Sequence, residues 1–470
     1  MNEINDPTRR AFLQRTSAGL GAAALASLLN PRLFAKPRPG SGLHFAPKAK
    51  RVIYLFMAGG PSHVDLWDPK QRLAEMHGQP LPPSIRQNER LTLMTRNQTQ
   101  HLCARSISSF APCGQSGLVV GDLFPHLRKV ADELCVIRSM YTEPINHDPA
   151  VTFLQTGSQE PGRPSMGSWL TWGLGNETDE LPGFVVLLSG RTIQPLLSRY
   201  WHSGFLPGHH QGTQFRSQGD AVLYLSNPKG MSRESRGRIV NAVNALNRLK
   251  FDALRDPEIQ ARIDSFELAY RMQTSVPDLM DLSREPESTR RLYGIADEPQ
   301  GKGSFARNCL LARRLLERGV RFVQLFHAGW DQHARLQEKL PIQCQQTDQA
   351  TAALIQDLKT RGMLKDTLII WGGEFGRTSY SQGKLGDGRD HHAGCFTVWL
   401  AGGGVKGGTT YGETDDFGYN VAADPVHVHD LQATILQLLG IDHEKLTFRF
   451  KGRDFRLTDV SGKVVDSILA

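Results

Sequence analysis

The sequence predicts an α/β protein built on a doubly wound, mostly parallel sheet. Three observations predict it: short apolar runs recur along the chain, helical stretches alternate with them, and glycines follow the helices. The runs are "RVIYLFM" (51–57), "LCVIRSM" (134–140), "FVVLL" (184–188), "VRFVQLF" (320–326), "DTLIIWG" (366–372) and "CFTVWLAG" (395–402). Near-continuous apolar strands suit a sheet covered on both faces. Helical patterns fall at 305–319, 343–361 and 428–440, and Gly319, Gly362 and Gly440 stand where C-terminal caps belong. Strand and helix alternating in this way give the doubly wound class.

Residues 232–300 break the alternation. "SRESRGRIVNAVNALNRLK" and "PEIQARIDSFELAYRMQTS" are charged and helical in period, with no strand between them. They predict a helical insertion within a domain spanning 51–470, preceded by a Pro-rich linker at 36–50.

The chain has 470 residues, 39% apolar and 22% charged, which is the composition of a globular protein with a substantial core. Its formal charge of +8 is spread along the chain with no long basic block, so nucleic acid is not an expected partner. At the N-terminus "TRRAFLQ" precedes the apolar "AGLGAAALASLL" and then "RLFA". Twelve apolar residues are too few for a stable membrane span, which needs ~20. Residues 1–35 instead read as an export signal, and Arg9–Arg10 before Phe12 and Leu13 resemble a twin-arginine type. The expected location is periplasmic or secreted, with the twin-arginine machinery as an export partner. Of the six cysteines, Cys103 and Cys113 could close a small loop, while Cys135, Cys309 and Cys395 lie in apolar runs as buried thiols.

In open parallel sheets ligands bind beyond the carboxyl ends of the strands. Ser62, His63, Asp65 and Asp68 follow the first run. Asn146, His147 and Asp148 follow the second. Asp331 and His333 follow "VRFVQLF", Glu374 and Arg377 follow "DTLIIW", and Asp390, His391 and His392 precede "CFTVWLAG". Carboxylates crowded at one edge without a cation would repel one another and lose hydration. Mixed imidazole and carboxylate donors suit one or two divalent ions, with Zn, Mn or Fe preferred over Ca or Mg. Asp331 and His333 are the expected ligands of one ion, with His391 or His392 completing the site. Glu374 with Asp65 or His63 would hold a second ion. Arg377 is placed to grip a phosphate or sulfate oxygen, or else to serve in a structural ion pair. Ser62 or His147 is the candidate nucleophile or base, and a metal-activated water would need neither.

Several stretches carry a resemblance: "MAGGPSHVDLWDPK", "HDPAVTFLQTG", "GWDQHARLQ", "GGEFGRT", "DHHAG", "LAGGGVKGGTTYGET" and "HDLQATILQLLGID". Over about 51–450 the chain resembles the exported, sulfatase-like family called domain of unknown function 1501, of the alkaline phosphatase superfamily. The resemblance implies a two-metal α/β fold that hydrolyses phosphate or sulfate esters, with a small-molecule or polysaccharide ester as substrate. Two departures stand out. Asn146 and His147 occupy the region where active members carry Ser, Thr or a modified Cys. Phe375 stands where the superfamily has the imidazole of an Asp-His ligand pair. The rival expectation is therefore an inactive sulfatase-like fold that binds anionic polysaccharide or metal.

Overall fold

The computed structural model describes residues 42–86, 91–190, 196–216, 221–222, 225–296 and 304–470, so the expected export signal lies outside the described residues. Leu43–Ala470 form one unit. Its centre is a nine-stranded sheet. The strands are β1 (Arg51–Ala58), β2 (Leu134–Tyr141), β3 (Phe184–Gly190), β4 (Thr213–Phe215), β5 (Phe322–Ala328), β6 (Thr367–Gly372), β7 (Phe396–Ala401), β8 (Thr409–Tyr411) and β9 (Val426–His427). Their order is β8-β2-β7-β6-β1-β5-β3-β4, with β9 also pairing to β2. β1 runs parallel to β5 and β6, and β3 parallel to β4 and β5. β8 and β9 run parallel to β2. β7 is the antiparallel member, against both β2 and β6.

That one reversal positions the site. Because β7 runs the other way, its amino end lies at the edge where the parallel strands finish: Phe396 pairs with Met140 near the end of β2, and Phe56 with Gly372 at the end of β6. The segment before β7 therefore meets the loops that follow β1, β5 and β6.

Side-chain alternation divides the core in two. On one face Ile53, Leu55, Met57, Val323 and Leu325 pack with Leu315 of α6 (Phe305–Glu317) and Leu354 of α7 (Leu336–Thr360). On the other, Tyr54, Phe56, Phe322 and Phe326 pack with α1 (His147–Thr156), α2 (Met166–Leu174) and α8 (Val428–Leu438). Both faces are covered, which is why the strands read as unbroken apolar runs and not as alternating ones. Gly319, Gly362 and Gly440 all have positive φ after their helices, as their spacing predicts.

The stretch without strands contains α3 (Arg233–Leu254), α4 (Pro257–Met280) and α5 (Glu287–Leu292). Glu285, beyond α4, is gripped by Arg313 at 2.5 Å and Arg314 at 2.7 Å, tying the insertion to α6. All six cysteines are free, including Cys103 and Cys113, so the small loop between them is not closed by a disulfide. Among the described residues no helix is long and apolar enough to cross a membrane.

Candidate metal centre

Four side chains from three separate segments converge at the carboxyl edge of the sheet. His147 opens α1, Asp331 and His333 lie in the loop after β5, and His391 precedes β7; one donor atom from each falls within 4.8 Å of the others. Asp331 Oδ1 is 2.9 Å from His333 Nε2, 3.2 Å from His147 Nε2 and 3.5 Å from His391 Nε2. β5 ends at Ala328, so Asp331 and His333 are set by a loop and not by strand alternation. The loop after β1 passes tightly behind them. A Cβ on Gly59 would lie 2.5 Å from the Asp331 amide nitrogen, so only glycine fits there.

The outer partners of the rings fix which nitrogen faces inward. Nδ1 of His147 lies 2.6 Å from Glu374 Oε1, Nδ1 of His333 lies 2.6 Å from Gln382 Oε1, and Nδ1 of His391 lies 2.8 Å from the Ile145 carbonyl. All three partners are acceptors, so each Nδ1 carries the hydrogen and, in the neutral ring, each Nε2 turns a lone pair inward. His147 Nε2 is buried with no hydrogen-bond partner, and Nε2 of His333 and His391 are only 3.0 Å apart. Facing lone pairs repel; a cation between them removes the repulsion. Burial, partly offset by Asp331, pushes His391 down to about 4, so its ring is neutral near neutral pH. Without an ion, burial opposes ionisation of Asp331, but protons held on the facing Nε2 atoms and the charge of Arg377 keep it well below the usual carboxylate range. Asp331 with Glu374 raises His147 against the effect of burial. Three imidazole nitrogens and a carboxylate oxygen fit a divalent transition ion. Asp331, with 31% of its side chain exposed, opens the cluster to solvent.

The other expected site residues fall into supporting positions. Glu374 accepts from the Gly59 amide at 2.9 Å as well as from His147, so it orients a donor instead of joining the cluster. Arg377 is wholly buried: Nε donates to the Gly60 carbonyl at 2.9 Å, Nη1 to the Arg389 carbonyl at 3.1 Å, and Nη2 to Asp331 at 2.7 Å and to the Gly59 carbonyl. Four of its five N–H groups are engaged inside the protein and the side chain is buried, which corrects the expected grip on a substrate oxygen in favour of the ion-pair alternative.

The second ion site is not assembled. Asp65 pairs with Arg389, Oδ2 to Nε at 2.7 Å and Oδ1 to Nη2 at 3.1 Å, and this guanidinium more than offsets burial to keep the carboxyl ionised. Ser62 is buried and donates to Asp65 at 2.5 Å, so it is not presented as a nucleophile. His63 Nε2 lies 2.8 Å from the Gly418 carbonyl, and His392 Nε2 2.5 Å from the Tyr419 carbonyl. Among the described residues the four-donor cluster is the one group of this kind. Gln382 is the supporting residue that sequence reading missed. Its signal was faint: a glutamine in a loop ten residues from His392.

An α/β fold with imidazoles and a carboxylate gathered at the sheet edge defines the class: a protein with a possible metal site. The chain belongs to the family described as a protein of unknown function (DUF1501), whose model matches residues 49–469. No curated protein matches it. Among solved structures it is similar to Ps i-CgsB in complex with k-i-k-neocarrahexaose, at 12% identity, covering 84% of this chain and 74% of that one, with TM-score 0.36. The PsFucS1 sulfatase from Pseudoalteromonas sp. gives 13% identity, coverage of 84% and 68%, and TM-score 0.34. A protein in the alkaline phosphatase superfamily from Vibrio parahaemolyticus gives 12%, coverage of 88% and 72%, and TM-score 0.33.

Proposed function

We propose that this chain is an exported, metal-dependent hydrolase of phosphate or sulfate esters, with its ion held by His147, Asp331, His333 and His391. The observation that carries the reading is the set of three rings whose outer nitrogens are all engaged by acceptors, leaving Nε2 aimed at Asp331. A divalent ion held there supplies Lewis acidity toward an ester oxygen and makes a bound water more acidic. The chain's own residues orient and support. Glu374 fixes the His147 ring, Gln382 that of His333, and Arg377 the Asp331 carboxylate. α1 begins at the cluster, and a helix start favours an anionic group. The substrate in this reading is a small-molecule or polysaccharide ester, reached after export by the twin-arginine route to the periplasm or beyond.

One observation favours a second reading, an inactive fold that binds metal or anionic polysaccharide: neither Ser62 nor Arg377 is free to act on a substrate. A screen of aryl phosphates, phosphodiesters and aryl sulfates, with the unaltered protein and Asp331→Ala in parallel, separates the two. The hydrolase reading expects a rate that chelation and Asp331→Ala both abolish. A rate unchanged by Asp331→Ala removes this site from the reaction, and bound metal without any turnover favours the binding reading.

A further inference from the structure

Met94 stands apart from the other methionines in exposure and in what it touches. Of the methionines among the described residues it is the one that is exposed, at 58%. Its turn is anchored on both sides. The Thr92 and Thr95 hydroxyls donate to Asp390, Thr95 at 2.6 Å, and the Met94 amide donates to Thr92 Oγ1 at 3.1 Å. Asp390 also accepts from the His391 amide at 2.8 Å, which ties the turn to the segment carrying a metal donor. The Met94 sulfur accepts from Gln382 Nε2 at 3.5 Å, and Gln382 Oε1 accepts from His333 Nδ1 at 2.6 Å. Two hydrogen bonds therefore join an exposed thioether to a ligating ring.

The Gln382 amide has one orientation that suits both neighbours. Its oxygen must face the His333 Nδ1 hydrogen, so its Nε2 faces the sulfur. The Gln382 backbone is fixed by donation to the Gly388 carbonyl at 2.9 Å, and Gly388 packs so closely on His333 that a Cβ there would lie 2.0 Å from its carbonyl oxygen. The weak link is the outer one, because a thioether is a poor acceptor.

We propose, building on the metal centre above, that Met94 is an oxidation site and that its sulfoxide tightens the hold of His333 on the ion. The oxidant is a peroxide. A sulfur lone pair bonds to one peroxide oxygen as the O–O bond breaks, and the other oxygen leaves as hydroxide. The proton on the new S–O group joins that hydroxide to give water, so sulfur is oxidised and the peroxide reduced. Met94 then presents an oxygen in place of a weakly accepting sulfur. Its side chain is unbranched and exposed, so the oxygen can turn to Gln382 while the anchored turn stays in place. Hydrogen bonds in a chain polarise one another, and a stronger acceptor on Nε2 makes Oε1 a better acceptor for His333. A ring more firmly engaged at its outer nitrogen is a more basic ligand at its inner one.

Zn²⁺ is the probe, because it takes no part in redox chemistry. Zn²⁺-loaded protein is treated with hydrogen peroxide, each methionine is followed by peptide mass spectrometry, and Zn²⁺ release to excess chelator is timed. Met94 should gain its oxygen first. Release should then slow by roughly 2–5-fold, a fraction of the ~10–100-fold that losing an outer partner costs. Methionine sulfoxide reductase should restore the original rate. Met94→Gln, with a carbonyl oxygen near the place of the sulfur, should release slowly without peroxide, and Met94→Leu should not respond to peroxide. Gln382→Ala should erase the difference between oxidised and unoxidised protein. A second methionine oxidised as fast as Met94 overturns the proposal. So does release that is unchanged or faster once Met94 is oxidised, or a slowing that survives Gln382→Ala or Met94→Leu. Protein that binds no Zn²⁺ before or after peroxide sinks the metal-centre reading and this proposal together. Zn²⁺ held but indifferent to Met94 oxidation sinks this proposal alone.

Discussion

Two clusters of the same residue types sit on neighbouring parts of one sheet edge and are held by opposite means. Around Asp331 the imidazoles turn Nε2 toward a carboxylate that only Arg377, at its back, partly balances. Around Asp65 both carboxylate oxygens are matched by the Nε–Nη2 edge of the Arg389 guanidinium, and the nearby His63 and His392 spend Nε2 on backbone carbonyls. The difference is where the positive charge comes from. Arg389 neutralises the Asp65 cluster permanently, so that cluster is architecture. The Asp331 cluster turns three ring nitrogens onto one carboxylate oxygen, and a bound ion would supply the positive charge that Arg377 alone does not.

Substitutions sharpen this contrast, the largest effect first. His391→Ala removes one of four donors and a ring that faces two others, and should empty the centre; metal analysis after dialysis checks it, and full metal content would break the contrast. Asp65→Ala leaves Arg389 charged and buried without its partner, which costs roughly 3–5 kcal/mol. Urea unfolding should show that loss while metal content per folded chain stays unchanged, and metal loss there would merge the two regions. Glu374→Gln replaces the acceptor on His147 with an amide whose oxygen is a weaker partner. A fall of about 10–100-fold in metal affinity is expected by competition titration, because outer partners of ligating imidazoles act at that scale.

A further effect, near zero at neutral pH and growing only with acid, lies away from both clusters. His327 on β5 is buried, with Nδ1 3.0 Å from the Ser189 hydroxyl, and burial lowers it to about 4. An unfolded histidine titrates near 6.5, so between about 6.5 and 4 the unfolded chain binds the extra proton. Stability from this residue is complete above pH 6.5 and falls by about 1.4 kcal/mol per pH unit as pH drops toward 4. His327→Gln should flatten that part of the unfolding profile; an unchanged slope would assign it to other groups.

Much of this was legible in the sequence because it follows from one-dimensional patterns. The strand expected at 51–57 is Arg51–Ala58, and that expected at 366–372 is Thr367–Gly372, since a strand covered on both faces must be apolar throughout. The strand expected at 320–326 lies two residues later, because the chain is still leaving α6 at Val320, whose amide donates to the Leu315 carbonyl. The convergence of Asp331, His333 and His391 was legible from the rule that ligands gather at strand ends. Which acid faces inward was not. Glu374 and Asp65 look as suitable as Asp331 along the chain, and only the positions of Gly59 and Arg389, reached across 315 and 324 residues, commit them elsewhere. The same holds for His147, whose place among the donors depends on Glu374 meeting it from 227 residues away.

The central claim is that one ion, and not two, balances this edge of the sheet. Metal content of the purified protein, folded in the cytoplasm and dialysed without chelator, tests it most directly. The account predicts one tightly held divalent transition ion per chain; none, or two, would contradict it.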